Sequence, residues 1–586
     1  MQKELILASR DDGLGERLRA ILNAIYLSKY FNFNFGFVWY PLNASETEVA
    51  KNKLAPVIVP SVDEIFSKEF IQKYSYNGIF ETRMDEFGKL KRKSINFLKD
   101  AKVLNFPIHM TQKRLDTIFD DLDTKEYKAS LIKIWQELDF TPKIKEILKE
   151  AEEKIINLKK NIDNKQLCSL HIRAGDAIFL NKFQKQIIRP NIFARALNFT
   201  LAIEIINKEL KNNNAIIVLS DDLSLLECFK NELPNLLNLN EIQKNKLFFS
   251  IDLYNKKDHV YKALYENALM SWSDKIYYTK TSGYANLAVL TGKYKEDIGI
   301  YEYFSNEEQY KIIQKYLEQI NVHPFHKSFV CFHGFRLARI LKKPLEEIKS
   351  WLKKAHFYNP NNDTFHLLWI EILFKEKQIK EANEYIENLL TQRKNAFLET
   401  LFCGNTRYYC DFIFDYFFKY AKKGFENIDY IASSIALNLG CNELFEFYFK
   451  EIKDKFQTPF NFEKKLGAEF LMKNHLSYKL GETMVKNSFT LKTLLKNPLD
   501  LLMIYLQFKK DKFKHDKSLS SYKDYEKALK FVKDHLYYKI GYVLIKAQKT
   551  WYKGGYFIFI KELKKIAKEY KYKKEERKNL KKIYNI

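Results

Sequence analysis

The sequence predicts an α/β protein built from two Rossmann-like domains and completed by an all-α C-terminal region. Three observations predict it: a strand, loop, helix, strand order at the start, a restart of that order at Leu167, and a near loss of strand signal after about residue 325. At 586 residues the chain exceeds one hydrophobic core, since a domain commonly takes ~150 residues. An apolar fraction of 46% with 15% aromatics supplies several cores. The expected divisions are 1–160, an N-terminal α/β domain; 161–322, a second Rossmann-like domain; 323–470, a helical domain; and 471–586, a basic helical region.

Each element has its own signal. Leu5 to Ser9 is a short apolar run, Asp11–Gly15 a glycine-containing turn, and Leu18, Ile21, Leu22, Ile25 and Leu27 follow at helical spacing. Phe35–Trp39 is the next strand. Residues 110–165 are charged and helix-patterned, suited to joining two halves. From Leu167 come Cys168–Ile172, a long helix near 191–211, the continuous apolar run Ala215–Leu219, and strands at Lys246–Ser250 and Lys275–Thr279. In the helical region Leu345, Ile348, Trp351, Leu352 and Ala355 recur 34 residues on as Ile379, Ala382, Tyr385, Ile386 and Leu389. With a turn at Asn359–Asn362 between them, the pattern resembles tetratricopeptide helix pairs, although an ordinary helical domain fits it as well. His475–Gly481 (HLSYKLG) recurs as His535–Gly541 (HLYYKIG), which predicts a pair of amphipathic helices.

Composition narrows the function classes. No apolar run reaches the ~18 residues needed to cross a bilayer, and the start lacks a secretory signal, so a cytoplasmic location is expected. The six cysteines form no Cys-x-x-Cys pair, and His323, His326, Cys331 and His333 have no second half of a metal site, so no metal is expected. Of the net charge of +25, residues 471–586 carry +18, from 29 Lys/Arg against 11 Asp/Glu. That surplus suits either the inner, anionic face of a membrane or a solvated lysine-rich face; nucleic-acid binding finds no supporting module.

Three segments of the second domain carry chemistry. LHIRAGD, residues 170–176, puts His171, Arg173 and Asp176 where a strand ends at the cleft edge of a doubly wound sheet, the edge at which nucleotides bind. Arg173 can clamp a departing diphosphate with a permanently charged fork and His171 can add a donor, while Asp176 can hold the arginine or the loop; an internal salt bridge at a turn is the alternative. Asp221 and Asp222 also follow a buried strand. A carboxylate there can accept the two donors that distinguish guanine from adenine, or cap the helix starting near Leu223, and each aspartate can take one of these roles. Thr281, Ser282 and Gly283 form a strand-to-helix turn of small residues, through which backbone N–H groups can reach a phosphate.

With the opening DDGLGERLRAILNAIYLSKY, these segments resemble the fucosyltransferase superfamily of α-1,6-fucosyltransferases and protein O-fucosyltransferases. In that family a glycine-rich first loop, a His-x-Arg-x-x-Asp motif, a Thr/Ser-Asp-Asp motif and a serine-rich turn enclose GDP. Gly13 and Gly15, with Arg17 beside them, match the first; His171, Arg173 and Asp176 the second; Asp221 and Asp222 the third; Thr281 and Ser282 the last, with Gly283 departing from the usual small-polar turn. The resemblance spans about residues 1–300 and implies a GT-B-like fold of fucosyltransferase type. The layout with its helical, basic C-terminal half also resembles capsule-locus sugar transferases, including capsular polysaccharide heptosyltransferases.

The activity so implied is inverting transfer of a heptose or deoxyhexose from a GDP-sugar to a capsular or other surface polysaccharide, or to a lipid-linked acceptor, without a metal cofactor. Arg173 would stabilise the leaving GDP, and Glu16, Asp12 or Asp11 on the first loop would take the acceptor proton. Glu16 is equally suited to a solvated first helical turn. Two rivals are transfer of a non-sugar capsule substituent such as a phosphoramidate, and a non-catalytic helical-repeat scaffold.

Overall fold

The computed structural model describes residues 4–44, 57–80, 82, 94–99, 107–162, 165–179, 181–182, 185–186, 192–254, 258–293, 296–402, 413–439, 441–456, 460, 478, 480, 536–549 and 558–566. It is mixed α/β with parallel sheets and is mostly helical. The chain divides into two compact units, Met1–Phe365 and His366–Ile586.

The opening apolar run becomes β1, Leu5–Ala8, and the helical periodicity after it becomes α1, Leu14–Phe31. Helix α1 stops where Asn32 turns left-handed at φ 57°, and the Asn32 N–H closes on Ser28 O. This crossover delivers β2, Asn34–Phe37, parallel to β1 with Leu7 opposite Gly36, and the two-residue β3, Ile108–His109, pairs on the other side of β1. Among the described residues the first parallel sheet therefore has three strands, in the order β2-β1-β3.

The charged connector forms α2, Thr124–Glu137, and α3, Pro142–Lys160. Proline at the first turn suits α3, because its missing N–H would be unpaired there anyway. Five parallel strands follow: β4, Leu167–Ile172; β5, Ala215–Ser220; β6, Leu247–Phe249; β7, Lys275–Tyr278; and β8, Glu296–Gly299. Every residue of β4 and β5 is buried, as expected of central parallel strands; β5 is apolar up to Ser220, whereas β4 also buries Ser169 and His171. The sheet order is β6-β5-β4-β7-β8. The chain thus builds outward from β4 in one direction and then resumes on its other side, so a topological switch point lies between β4 and β7. Crevices at such points, outside the carboxyl ends of the strands, are where open α/β sheets bind ligands.

Helices α4, Phe199–Lys211; α5, Leu223–Leu236; α6, His259–Trp272; and α7, Gly283–Thr291, cover this sheet. One continuous core joins Ile6, Leu18, Leu22 and Trp39 of the first half to Ile217, Leu264, Ile276 and Leu287 of the second. Burial of this kind is the main stabilising term, at roughly 25 cal/mol per Å² of apolar surface. It ties the two sheets into a single body.

Past the sheet the first unit ends in α8, Asn306–Tyr316; α9, Pro324–Ile340; and α10, Leu345–Tyr358. A helix over Asp363–Lys375 spans the division between the units. In the second unit the residues read as the repeated helix lie in Ile379–Phe402, which kinks at Arg393. The second copy of the duplicated segment falls in the helix Leu536–Lys549. Of the first copy only Tyr478 and Leu480 are described, and Tyr478 packs edge-on against Tyr537 at 5.4 Å, so the two copies meet. Most of the rest of 471–586, and with it the expected membrane-facing surface, lies outside the described residues. No helix among the described residues is long and apolar enough to cross a membrane.

Candidate active site

Five chain segments converge at the carboxyl edge of the second sheet. The first is the turn that opens α1. Gly13 is its N-cap in extended conformation, and Glu16 sits in its first turn. Gly15 is required by a close approach: a Cβ there would lie 2.9 Å from Tyr284 Cα and 3.1 Å from Gly283 O. Glu16 fills the space beside Gly283 in return: a Cβ there would fall 1.8 Å from Glu16 Oε1, so any side chain must displace that carboxylate. The starts of α1 and α7 are thus in direct contact, with the Glu16 carboxylate laid over the first residue of α7.

Glu16 Oε2 accepts from Arg19 Nη1 at 3.0 Å, and Arg19 is buried. Burial raises the Glu16 pKa, with Asp12 adding to the rise, while Arg19, Arg10 and Arg173 oppose it. The Arg173 guanidinium is therefore a charged neighbour of Glu16. Asp12 is paired with Arg10, which donates to it through Nε and Nη2.

Arg17, which the motif match placed beside the nucleotide, is engaged by the protein backbone. Its Nε donates to Asp12 O at 2.6 Å, Nη1 to Tyr40 O at 2.5 Å and Nη2 to Asp11 O at 2.8 Å, and its guanidinium lies against Trp39. The physical reason is that a tight loop leaves carbonyls unpaired, and a fork-shaped donor from the following helix satisfies two of them together with the Tyr40 carbonyl beyond β2. Arg17 shapes the first loop.

The second segment follows β4. His171 is buried, its ring rests on Tyr284 at 5.2 Å, and its Nδ1 has no hydrogen-bond partner among the described residues. Burial, reinforced by Arg173, lowers its pKa to about 3, so the imidazole is neutral at physiological pH. Arg173 leaves the strand at the switch point, and its carbonyl is fixed by Leu197 N at 2.8 Å. Asp176 lies on the short helix Gly175–Phe179, and its side chain is outside what the structure describes.

The third segment separates the two aspartates. Asp221 Oδ1 accepts from Ala174 N at 2.8 Å and Gly175 N at 3.0 Å, so it braces the loop carrying Arg173. Asp222 is wholly buried and is the N-cap of α5. Its Oδ1 accepts from Leu225 N and Ser224 Oγ, and its Oδ2 pairs with His326 Nε2 at 2.7 Å. Burial alone would push its carboxyl up, but these hydrogen bonds, His326 foremost, hold it below the usual range. With both oxygens engaged by protein groups, Asp222 takes the capping role.

The fourth segment is the turn into α7. Ser282 is the buried N-cap, accepting from Ala285 N, and Asn286 Nδ2 clamps Lys280 O at 2.6 Å and Ser282 O at 2.8 Å. Thr281 is exposed on the outside of this turn. The α7 N-terminus therefore stands across the switch point from Arg173.

The fifth segment escaped the sequence reading. Glu266, on α6, is 7% exposed, and its Oε1 has no hydrogen-bond partner among the described residues; the nearest cation is Lys262 Nζ at 3.7 Å. Burial raises its pKa and the neighbouring Asp221 adds to the rise, while Lys262 and the Ser250 hydroxyl oppose it. A buried carboxylate short of a donor is costly and calls for an explanation. The available signal was an acid in a largely apolar helix, with Lys262 one turn ahead of it, sixteen residues before the Ser282 turn.

Comparisons with known proteins leave this site to speak for itself. Residues 420–572 match a domain of unknown function, DUF8374. An uncharacterized protein of Borreliella burgdorferi is 26% identical over 215 residues, which is 31% of this chain and 21% of that protein, so the chain spans about a fifth of the length of the curated relative it matches. Among solved structures, POFUT1 in complex with GDP aligns with 51% of this chain and 98% of its own at 10% identity and a TM-score of 0.29. The NodZ α-1,6-fucosyltransferase soaked with GDP-fucose aligns with 50% and 93% at 11% identity and 0.26, and the fucosyltransferase NodZ from Bradyrhizobium with 50% and 94% at 10% and 0.27. Likenesses of that size decide nothing about activity.

Proposed function

We propose that this chain is a glycosyltransferase that takes a sugar from GDP and transfers it, with inversion, to a saccharide acceptor. The observation that carries the reading is the composition of the switch-point crevice: a permanent cation, Arg173, opposite a helix N-terminus, flanked by two buried polar side chains, His171 and Glu266, each with an atom short of a partner. The cation and the helix end suit a diphosphate. The Glu266 carboxylate suits guanine, whose N1–H and exocyclic amine are adjacent donors, and neutral His171 can complete the base's hydrogen bonds.

In the reaction the acceptor hydroxyl oxygen attacks the anomeric carbon as the bond from that carbon to the β-phosphate oxygen breaks. Glu16 takes the hydroxyl proton; a raised pKa makes it a better base than a solvated carboxylate. Charge appearing on the departing GDP is met by Arg173 and the α7 N–H groups, so the step calls for no metal. The sugar is a heptose or deoxyhexose and the acceptor a capsular or other surface polysaccharide, as the motif resemblance implies. Isothermal calorimetry in chelating buffer tests the reading. GDP should bind, ADP should bind at least tenfold more weakly, and Arg173→Ala should weaken GDP strongly; absence of GDP binding would leave a scaffold in its place.

A further inference from the structure

A second concavity lies at the opposite edge of the fold. Strands β4 to β8 point their carboxyl ends at the crevice, so the C-termini of α6 and α7 stand at the other edge, where α2 and α3 meet. There a cavity of about 280 Å³ opens between Trp135 and Phe140 on one wall and Trp272 on the other. Helix α7, nine residues long, separates it from the Ser282 turn by about 13 Å at 1.5 Å per residue. It is therefore no part of the crevice described above.

Its chemistry is specific. Trp135 and Phe140 pack edge to face at 5.0 Å, and Trp272 is half-buried with Lys293 Nζ 4.8 Å above its ring. Lys145 and Lys149 complete the rim, against the single lining carboxylate Glu152. Lys145 reaches Asp139 at 3.0 Å and Lys149 reaches Glu153 at 3.7 Å, but these are exposed pairs, each worth only ~0–1 kcal/mol, so an anion can displace them. Flat aromatic faces favour the C–H face of a sugar ring, and three lysines favour a negative substituent on it. The volume, near the low end of the ~300–1,000 Å³ common for ligand sites, fits one substituted ring.

We infer that this cavity is a second, non-catalytic site that binds one residue of an anionic saccharide, carrying either a carboxylate or a phosphate. The inference does not depend on the reading of the crevice. The full-length protein is titrated with a trigalacturonate, with the neutral galactose trisaccharide of the same linkage, with glucose 6-phosphate and with inorganic phosphate, followed by tryptophan fluorescence and calorimetry. Saturable binding of trigalacturonate or glucose 6-phosphate is expected, and whichever binds tells which anion the site takes. The neutral trisaccharide should bind at least tenfold more weakly than trigalacturonate, and inorganic phosphate at least tenfold more weakly than glucose 6-phosphate. Lys149→Gln with Lys293→Gln should weaken the binding tenfold or more and Trp135→Ala should abolish it, while GDP calorimetry on the same variants reports on the crevice separately. No saturable binding, equal binding of the neutral saccharide, phosphate binding as tight as its sugar ester, or indifference to all of these substitutions would overturn the assignment.

Discussion

Replacing Gly283 by alanine tests the contact between the two helix starts. The Gly283 backbone is helical, so the substitution itself is tolerated, and alanine recovers about 0.5–1 kcal/mol of the chain entropy that glycine costs. The new Cβ, however, would stand 1.8 Å from Glu16 Oε1 and 2.1 Å from its Cδ. Ordinary contact begins at 3.4 Å, so the carboxylate must retreat by about 1.6 Å. That movement breaks its 3.0 Å pair with the buried Arg19. Stranding one member of a fully buried pair costs about 3–5 kcal/mol; Glu16 retains 23% exposure, which reduces this to about 2 kcal/mol. The expected net destabilisation is about 1–2 kcal/mol in urea unfolding, with a fall in kcat on the order of a hundredfold, the usual effect of displacing a reacting group by an ångström or more. Adding Glu16→Ala should relieve the clash, so that Gly283→Ala costs no further stability in that background, without restoring turnover. If Gly283→Ala alone matches the native protein in both stability and kcat, then neither the contact nor the role of Glu16 stands.

Further outcomes are expected. Arg173→Ala should lower the rate on the order of a hundredfold or more, and excess chelator should leave the native rate intact in the same assay of released GDP. Glu266→Gln, which keeps the shape of the side chain but loses an acceptor, should reduce the preference for GDP over ADP by about tenfold or more, measured by competitive calorimetry. Buried His333 has its pKa lowered from 6.5 to about 3, so the unfolded chain binds more protons between those values. Its contribution to stability is whole above pH 6.5 and is lost as pH falls toward 3, with a slope of up to about 1.4 kcal/mol per pH unit, and His333→Gln should flatten the urea-midpoint profile there. Finally, the +18 excess of residues 471–586 should carry the full-length protein down with anionic vesicles at low salt and release it at high salt, whereas a chain ending near residue 470 should remain in the supernatant.

What the sequence made legible follows from how strongly each signal is local. Ala215–Ser220 could be read because a strand buried on both faces is almost continuously apolar, and Leu167–Ile172 because four apolar residues bracket Ser169 and His171 over a strand's length. Ile108–His109 and Glu296–Gly299 could not, since one is two residues long and the other begins with two acids. The Asp222 cap was available from its place ahead of an amphipathic helix, and the structure adds the partner, His326, 104 residues away. For Arg17 the sequence gives a charge near a glycine turn but not the direction of a long, flexible side chain, which the unpaired carbonyls of Asp11, Asp12 and Tyr40 decide. Glu266 was hidden for a related reason: an acid on a helix usually faces water, and only tertiary packing makes this one buried.

The Asp222–His326 pair also governs how this protein can be dissected. A fragment cut at residue 322, where the sheet's own sequence ends, would keep the aspartate and discard the histidine. The wholly buried carboxylate would lose the histidine that engages its Oδ2, at the foot of the loop that Asp221 braces, a loss of up to about 3–5 kcal/mol if the histidine is charged. Helix α9, although it adds no strand and follows the last strand, is thus the keystone of the sheet's carboxyl edge. Shortened versions made for crystallisation should therefore extend through α10.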